Sequence, residues 1–193
     1  MVKFILLFFI SNIFIFTYGC SPVGILAGGG ATTMAVAEGD KTLGSVVDDA
    51  TIKLNISTKF LQTNNKLFLN INTNVTKGRV LLTGIVETQE NRIEAVRKVW
   101  EVSGVQEVIN EIEVGNKTTI KEYANDLWIN TQVKSIAAKT IGLRALSFNF
   151  ETIRGKVFIA GITSRPEQLN AVVEATKTIK GVNEIVNYVV VIE

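Results

Sequence analysis

The residue types that usually perform catalysis are scarce in this sequence. None of the 193 residues is histidine, so the commonest metal ligand and the usual general base near neutral pH are missing. The single cysteine is Cys20, and no Ser-x-x-Lys arrangement supplies another base for a nucleophile. Carboxylates recur as Glu90 with Glu167 and Glu107 with Glu184, but helix capping and turns account for them. We therefore predict a protein that is not an enzyme and that holds no metal or cofactor.

Cys20 instead closes a segment with the composition of an export signal. Residues 1–19 begin with a cation, continue with an apolar run from Phe4 to Phe16 and end in Gly19. The run is shorter than the roughly 20 apolar residues that a membrane-spanning helix needs. An uncleaved anchor and an ordinary signal peptide followed by a coincidental cysteine are the alternatives.

The pair Gly19-Cys20 resembles the bacterial lipobox, although Thr17 and Tyr18 depart from its usual residues. The resemblance implies cleavage before Cys20 and covalent attachment of diacylglycerol, on the thiol, and of palmitate to this cysteine, and these acyl chains hold a protein durably on a membrane. The residue after the cysteine is Ser21, not aspartate, which in this class favours the outer membrane. Residues 20–44 are rich in Gly, Ala and Thr without periodicity, and we predict a flexible tether.

The remainder of the chain is an internal repeat. Residues 78–114 align without gaps on residues 155–191 at an offset of 77, and 11 of the 37 positions are identical. We therefore predict two copies of one small module, at 45–115 and 116–193.

Each copy has the same predicted order of elements, helix, strand, strand, helix and strand. The fold class is α+β, with a three-stranded mixed sheet and two helices on one of its faces. The first copy has a predicted helix at 46–62, strands at 67–73 and 79–86, a helix ending at Gly104 and a strand at 105–114. The second has a helix at 121–141, strands at 146–151 and 156–162, a helix ending at Gly181 and a strand at 182–192. Ser164 and Glu167 have the spacing of a capping box for the last helix.

Both copies carry the pattern G-[RK]-V-x-[LI]-x-G and, about twenty residues later, G-V-x-E-[VI]. With these motifs the chain resembles the BON (bacterial OsmY and nodulation) domain. The duplication and the lipobox also resemble the dual-BON outer-membrane lipoproteins of bacteria with two membranes. The resemblance implies a lipid-anchored protein on the periplasmic face of the outer membrane that binds phospholipid and supports envelope integrity.

The charges fit a membrane partner and argue against nucleic acid. The formal net charge is only +2. Residues 45–115 contain 8 Lys and Arg against 9 Asp and Glu, whereas residues 116–193 contain 10 against 7. The cationic surplus therefore lies in the second copy, where it would attract an anionic bilayer.

Trp128 is the candidate contact with phospholipid. It lies on the polar flank of the predicted helix 121–141, where Gln132, Ser135 and Lys139 share its side. Its repeat counterpart is Thr51, so the module does not require an aromatic residue there. The dual-BON resemblance adds Lys134, although the helical wheel places Lys134 on the opposite flank. Packing of Trp128 against the other module is the alternative.

A second class of function stays open, that of a protein–protein adaptor for an envelope assembly or cell-wall machine, with the lipid serving only as an anchor. A large apolar patch shared between Trp100, whose repeat counterpart is Lys177, and an edge strand would favour it. We expect Trp100 to lie at a contact between the two modules.

Overall fold

The computed structural model describes residues 43–192. The predicted signal segment 1–19, the lipidation site Cys20 and nearly all of the predicted tether lie outside the described residues. Within the described part, no helix is long and apolar enough to cross a membrane.

Two modules with the same topology follow each other along the chain. The first contains α1 (Leu43–Thr63), α2 (Asn65–Asn70), β1 (Ile71–Thr76), β2 (Arg79–Val86), α3 (Gln89–Trp100) and β3 (Glu107–Val114). The second contains α4 (Ile120–Ile141), a 3-10 helix (Gly142–Ser147), β4 (Phe148–Ile153), β5 (Lys156–Thr163), α5 (Pro166–Lys177) and β6 (Glu184–Val191). The predicted α-β-β-α-β order in an α+β fold is confirmed, with a short helical segment added before the first strand of each module.

Each module is built on a three-stranded mixed sheet. β1 and β2 form an antiparallel hairpin, and β3 pairs with β2 in parallel after the α3 crossover. β4, β5 and β6 repeat this arrangement. The middle strand of each sheet is therefore the one that carries the repeated Gly-x-Val motif.

The predicted first strand of each module begins too early. Residues 65–70 form α2, and residues 142–147 form the 3-10 helix, so the alternating pattern from Leu67 and from Leu146 is not a strand pattern. Leu67 is buried in the core of the first module, and Leu146 is exposed. A short apolar run fits a helical turn as well as a strand, and tertiary packing decides between them.

The last helix begins one residue later than the predicted capping box of Ser164 and Glu167 requires. α5 begins at Pro166 after Arg165, which makes no side-chain capping bond. The hydroxyl of Thr163 instead accepts a hydrogen bond from the Arg165 backbone N–H at 3.0 Å. Proline at the first helical position needs no acceptor, because its nitrogen carries no hydrogen.

Each sheet packs one face against its own helices and the other face against the neighbouring module. Along β2, Val80 and Leu82 belong to the core under α1 and α3, while Leu81 points to the other side. Along β5, Val157 and Ile159 likewise belong to the core under α4 and α5. A third apolar cluster contains residues of both modules, with Leu81, Phe158 and Ala160 buried at its centre. The two sheets therefore face each other, and the helices cover the outside.

Candidate functional site

The outer face of α4 carries the residues that the sequence marks as a contact site. α4 begins with a capping box, in which the Thr119 hydroxyl accepts from the Glu122 N–H at 3.2 Å and the Glu122 carboxylate accepts from the Thr119 N–H at 2.7 Å. The Thr119 N–H, and then the Thr119 hydroxyl, which also donates to the Glu122 carboxylate at 2.7 Å, hold the pKa of Glu122 below its usual value. The helix ends at Ile141, before Gly142, whose φ of 63° lies in the region that favours glycine.

One stripe of α4 is buried against the second sheet, and this fixes which side faces outward. The buried residues are Asp126, Ile129, Val133, Ala137 and Ile141. The side chains on the opposite side are therefore free to contact another surface.

The predicted site residues lie on this outer side, on two flanks. Trp128 is 47% exposed, Ser135 and Lys139 are exposed, and Gln132 is half-buried. At 100° per residue, Ser135 and Lys139 lie about 20° on either side of Trp128 around the helix axis. Lys134 is exposed too, but about 120° away from Trp128. Trp128 therefore lies on the same side of α4 as Lys139, which is three turns further along the helix, and on a different side from Lys134.

Lys134 shares its side of α4 with exposed side chains that were not predicted as part of the site. Tyr123 and Leu127 are 65% and 56% exposed, and both lie within about 20° of Lys134 around the helix. Ile120, the first residue of α4, is 89% exposed. The sequence already indicated that these residues are exposed, because they do not lie on the helical face that Ile129 and Val133 define. We call the exposed residues 120, 121, 123, 127, 128, 134, 135 and 139 the outer face of α4.

The charges of this helix are segregated. Lys121, Lys134 and Lys139 are all exposed, and none of them pairs with a carboxylate among residues 43–192. The two carboxylates of α4 accept hydrogen bonds from other groups. Glu122 accepts from Thr119 in the capping box, and the buried Asp126 accepts from the Gly155 N–H. An apolar strip with aromatic residues and flanking cations is the composition of a helix that lies in a membrane interface.

The first module lacks the tryptophan and the three lysines at the equivalent positions of α1. In α1, the counterparts of Lys121, Lys134 and Lys139 are Gly44, Ser57 and Gln62, and Trp128 is replaced by Thr51. The described fold is the same in both modules. The aromatic and cationic residues of α4 are therefore not needed for folding of the module.

Trp100 does not lie between the modules, contrary to expectation. It is the last residue of α3 and is 53% exposed. α3 covers the face of the first sheet that is turned away from the second module. The module interface lies on the opposite face of that sheet.

The recurring acidic residues have structural partners. Glu107 pairs with Arg79, and Glu184 pairs with Lys156 at 3.5 Å, so the same bridge between neighbouring strands occurs in both modules. Glu90 and Glu167 lie in the first turns of α3 and α5. Among the described residues, no group of three or more Cys, Asp or Glu side chains is placed to hold a metal ion.

The two modules share one topology, with the Gly-x-Val motif at the start of the middle strand of each sheet. The BON domain family matches residues 48–116 and 125–193, and the chain belongs to this family.

Several curated proteins are similar over most of the chain. An uncharacterised protein in the gshII 5' region of Anaplasma centrale is 36% identical over 144 residues, which cover 74% of this chain and 94% of the relative. The outer membrane lipoprotein DolP of Haemophilus influenzae is 31% identical over 173 residues, covering 89% of this chain and 88% of the relative. The osmotically inducible protein Y of Escherichia coli is 24% identical over 147 residues, covering 75% and 73%.

Proposed function

We propose that the chain is a lipid-anchored protein of the bacterial envelope whose second BON domain binds anionic phospholipid through the outer face of α4. In this proposal Cys20 carries diacylglycerol and palmitate, and the modules lie on the periplasmic face of the outer membrane and support envelope integrity. The location is supported by the similarity to DolP, which is named an outer membrane lipoprotein, and by the Gly19-Cys20 pair.

The observation that carries the lipid proposal is the segregation of charge on α4. Three lysines and the exposed Trp128, Tyr123 and Leu127 share the outer face, while both carboxylates of the helix are bound elsewhere. Each cation close to an anionic bilayer contributes about 1 kcal/mol to binding. Trp128 and Tyr123 supply amphipathic rings of the kind that settle at the level of the head groups.

Vesicle flotation tests this proposal with an internal control. The chain from residue 20 onward, with Cys20→Ser to prevent acylation, retains every residue of the described fold. We expect it to float with vesicles that contain phosphatidylglycerol and to remain below vesicles of phosphatidylcholine alone. Trp128→Ala should abolish most of this binding, whereas Trp100→Ala should leave it unchanged, because Trp100 is equally exposed but lies on α3. Equal losses in the two variants, or no flotation of the parent chain, would count against the proposal.

A protein partner is the second candidate, favoured by one feature of the first module. Ile93 and Trp100 are both exposed on α3 and, seven residues apart, lie on the same side of the helix. Their counterparts in α5 are the polar residues Asn170 and Lys177. A photo-crosslinking residue at position 100 should capture a specific envelope protein in cells, and the same probe at position 177 should not. Identical patterns at both positions would remove this candidate.

A further inference from the structure

A cleft opens between the first module and the beginning of α4. Its volume is about 390 Å³, within the range of about 300–1,000 Å³ that is usual for small-molecule sites. The residues of its wall that bear on the argument are Leu69, Ile85, Lys117, Ile120, Tyr123 and Ile153. They come from both modules and from the segment between them.

The wall of the cleft is mainly apolar, with Asn70, Asn72 and Thr118 as polar residues beside Lys117, and its large apolar side chains are mostly exposed. Leu69 at the end of α2 is 76% exposed, and Ile120 and Tyr123 are still more than half exposed on the other side. None of the three belongs to a buried core cluster of the described fold. Large exposed apolar side chains that line a common cleft are typical of a binding site for an apolar group.

A cation stands beside this apolar wall. The Lys117 ammonium lies 4.0 Å from the nearer carboxylate oxygen of Glu87. Glu87 already accepts a hydrogen bond from Lys66 at 2.7 Å, which holds the pKa of that carboxyl below its usual value. Because Lys66 is the closer partner, Lys117 is able to turn toward an anion in the cleft.

The cleft is continuous with the outer face of α4. Tyr123 lines the cleft and also lies on the same flank of α4 as Leu127 and Lys134. A lipid whose head group lies at this flank has the apolar wall of the cleft beside it. The ligand that fits is therefore amphiphilic and anionic.

We propose that this cleft binds a single anionic phospholipid molecule, with an acyl chain against Leu69, Ile120 and Tyr123 and the phosphate near Lys117. In its choice of ligand this inference rests on the proposed function. It adds a second site, formed jointly by the two modules, which takes one lipid out of the plane of the bilayer.

The test uses monomeric lipid, so that bilayer contact plays no part. Dihexanoyl-phosphatidylglycerol is titrated, below its critical micelle concentration, into the Cys20→Ser chain that begins at residue 20, and binding is followed by calorimetry and by NMR shifts. We expect saturable binding of one lipid per chain, with glycerol phosphate, which has no acyl chains, not binding. Leu69→Asn should weaken the binding about tenfold, and Lys117→Gln about fivefold.

Leu146 provides a matched control for Leu69. It occupies the same repeat position and is also exposed, but it lies in the second module and does not line this cleft. Leu146→Asn should leave the affinity for monomeric lipid unchanged. The proposal is overturned if no saturable binding occurs, if Leu69→Asn binds like the parent, or if Leu146→Asn weakens binding as much as Leu69→Asn does.

The two proposals fail in different ways. Trp128→Ala should reduce vesicle flotation and leave the binding of monomeric lipid intact. Flotation that depends on Trp128 without any binding of monomers would overturn the cleft and support the outer face of α4. Binding of monomers that depends on Leu69, together with flotation indifferent to Trp128, would support the cleft and overturn the proposed bilayer contact.

Discussion

Tyr188 and Glu111 occupy the same position in the two repeats, and the Tyr188 hydroxyl donates a hydrogen bond to the Glu111 carboxylate across the interface of the modules. Leu81 and Phe158, which are also repeat counterparts, meet in the apolar cluster beside them. Contact between equivalent residues is the mark of a two-fold interface. The modules are therefore related by an approximate two-fold axis that passes close to this pair.

The same interface contains further polar contacts around its edge. Lys156 lies 3.4 Å from Glu111, and Arg154 lies 3.2 Å from Glu113. Asn72 donates to Glu151 at 2.9 Å. These bonds surround the apolar cluster and fix how the two sheets sit on each other.

Tyr188→Phe removes the central hydrogen bond without changing the packing volume. We expect the free energy of unfolding to fall by about 1–2 kcal/mol, because the carboxylate loses a charge-assisted partner in a half-buried place. Urea denaturation measures the change. Tyr123→Phe, at an exposed position of α4, is the control and should leave the midpoint where it was.

The stability should also depend on the ionisation of Tyr188. Burial, and then the hydrogen bond to Glu111, raise the pKa of Tyr188 to about 12, above its ordinary value of 10.0. The neutral phenol is thus favoured in the folded state, and its contribution is complete below pH 10 and is lost as the pH rises toward 12. We expect the parent and Tyr188→Phe to differ in unfolding free energy at pH 9 and to converge at pH 12. A constant difference across that range would contradict the assignment.

A buried aspartate fastens the hairpin of each module to its first helix. Asp126 accepts hydrogen bonds from the backbone N–H groups of Arg154 and Gly155, each at 2.8 Å, and Asp49 does the same for Lys77 and Gly78 at 2.9 and 3.0 Å. All four turn residues have positive φ, as a two-residue hairpin of this twist requires.

Replacing this aspartate by asparagine should therefore lower the free energy of unfolding. In Asp49→Asn, one of the two acceptors becomes an NH₂ group that faces an N–H, and we expect a loss of about 1–3 kcal/mol in unfolding free energy. Asp48→Asn, one residue earlier and exposed, is the matched control and should be neutral. Thermal or urea unfolding of the two variants makes the comparison, and similar stabilities would refute the role of Asp49.

Gly84 in β2 and Gly161 in β5 allow close approach of the backbone at the end of a helical segment. That segment is α2 for Gly84 and the 3-10 helix for Gly161. A Cβ atom on Gly84 would stand 2.1 Å from the Asn70 carbonyl oxygen, and one on Gly161 would stand 2.2 Å from the Ser147 carbonyl oxygen. Both glycines also have positive φ, of 137° and 148°. Backbone atoms cannot move aside as a flexible side chain can.

We expect Gly84→Ala to cost at least about 3 kcal/mol, through both overlap and backbone strain. Gly115→Ala is the control, since its nearest neighbour would be Arg154 Nη1 at 3.8 Å, an ordinary contact. Circular dichroism during urea unfolding compares the two. A tolerated alanine at position 84 would show that the hairpin and α2 are less tightly apposed than described.

The cations of α4 should govern binding to anionic vesicles. Lys134→Ser and Lys139→Gln introduce the residues found at the same positions of α1, and each should weaken binding about fivefold at low salt. Raising the ionic strength should reduce the difference, because exposed charges are screened within a Debye length. Ser57→Lys with Gln62→Lys in α1 is the reciprocal control and should not restore binding to the double variant.

Metabolic labelling with palmitate tests the anchor in cells. We expect the parent chain to incorporate the label and to fractionate with the outer membrane, and Cys20→Ser to incorporate none. Labelling of the serine variant would place the acyl chain at another residue and would remove the lipobox interpretation of Gly19-Cys20.

Local patterns determined much of the described fold. The offset of 77 residues is visible by direct comparison of the two copies. The spacing of Ile129 and Val133 is readable within one helix, because a helix imposes its own period on buried positions. The two-module organisation and the α-β-β-α-β order therefore followed from the sequence alone. So did the outward position of Trp128, since it depends only on the angle from the buried stripe.

The tertiary structure decided what depends on residues distant in sequence. The run near Leu67 is a helical turn and not a strand, because its apolar side chain packs under α1 and not in a sheet. Trp100 faces outward, because the modules meet through their sheets and not through α3. The meeting of Glu111 with Tyr188, and the cleft between Leu69 and Ile120, arise from the docking of two modules. The hydrophobic periodicity of a single helix or strand does not predict that docking. The docking is set by the shape and charge of two surfaces that form only after each module has folded.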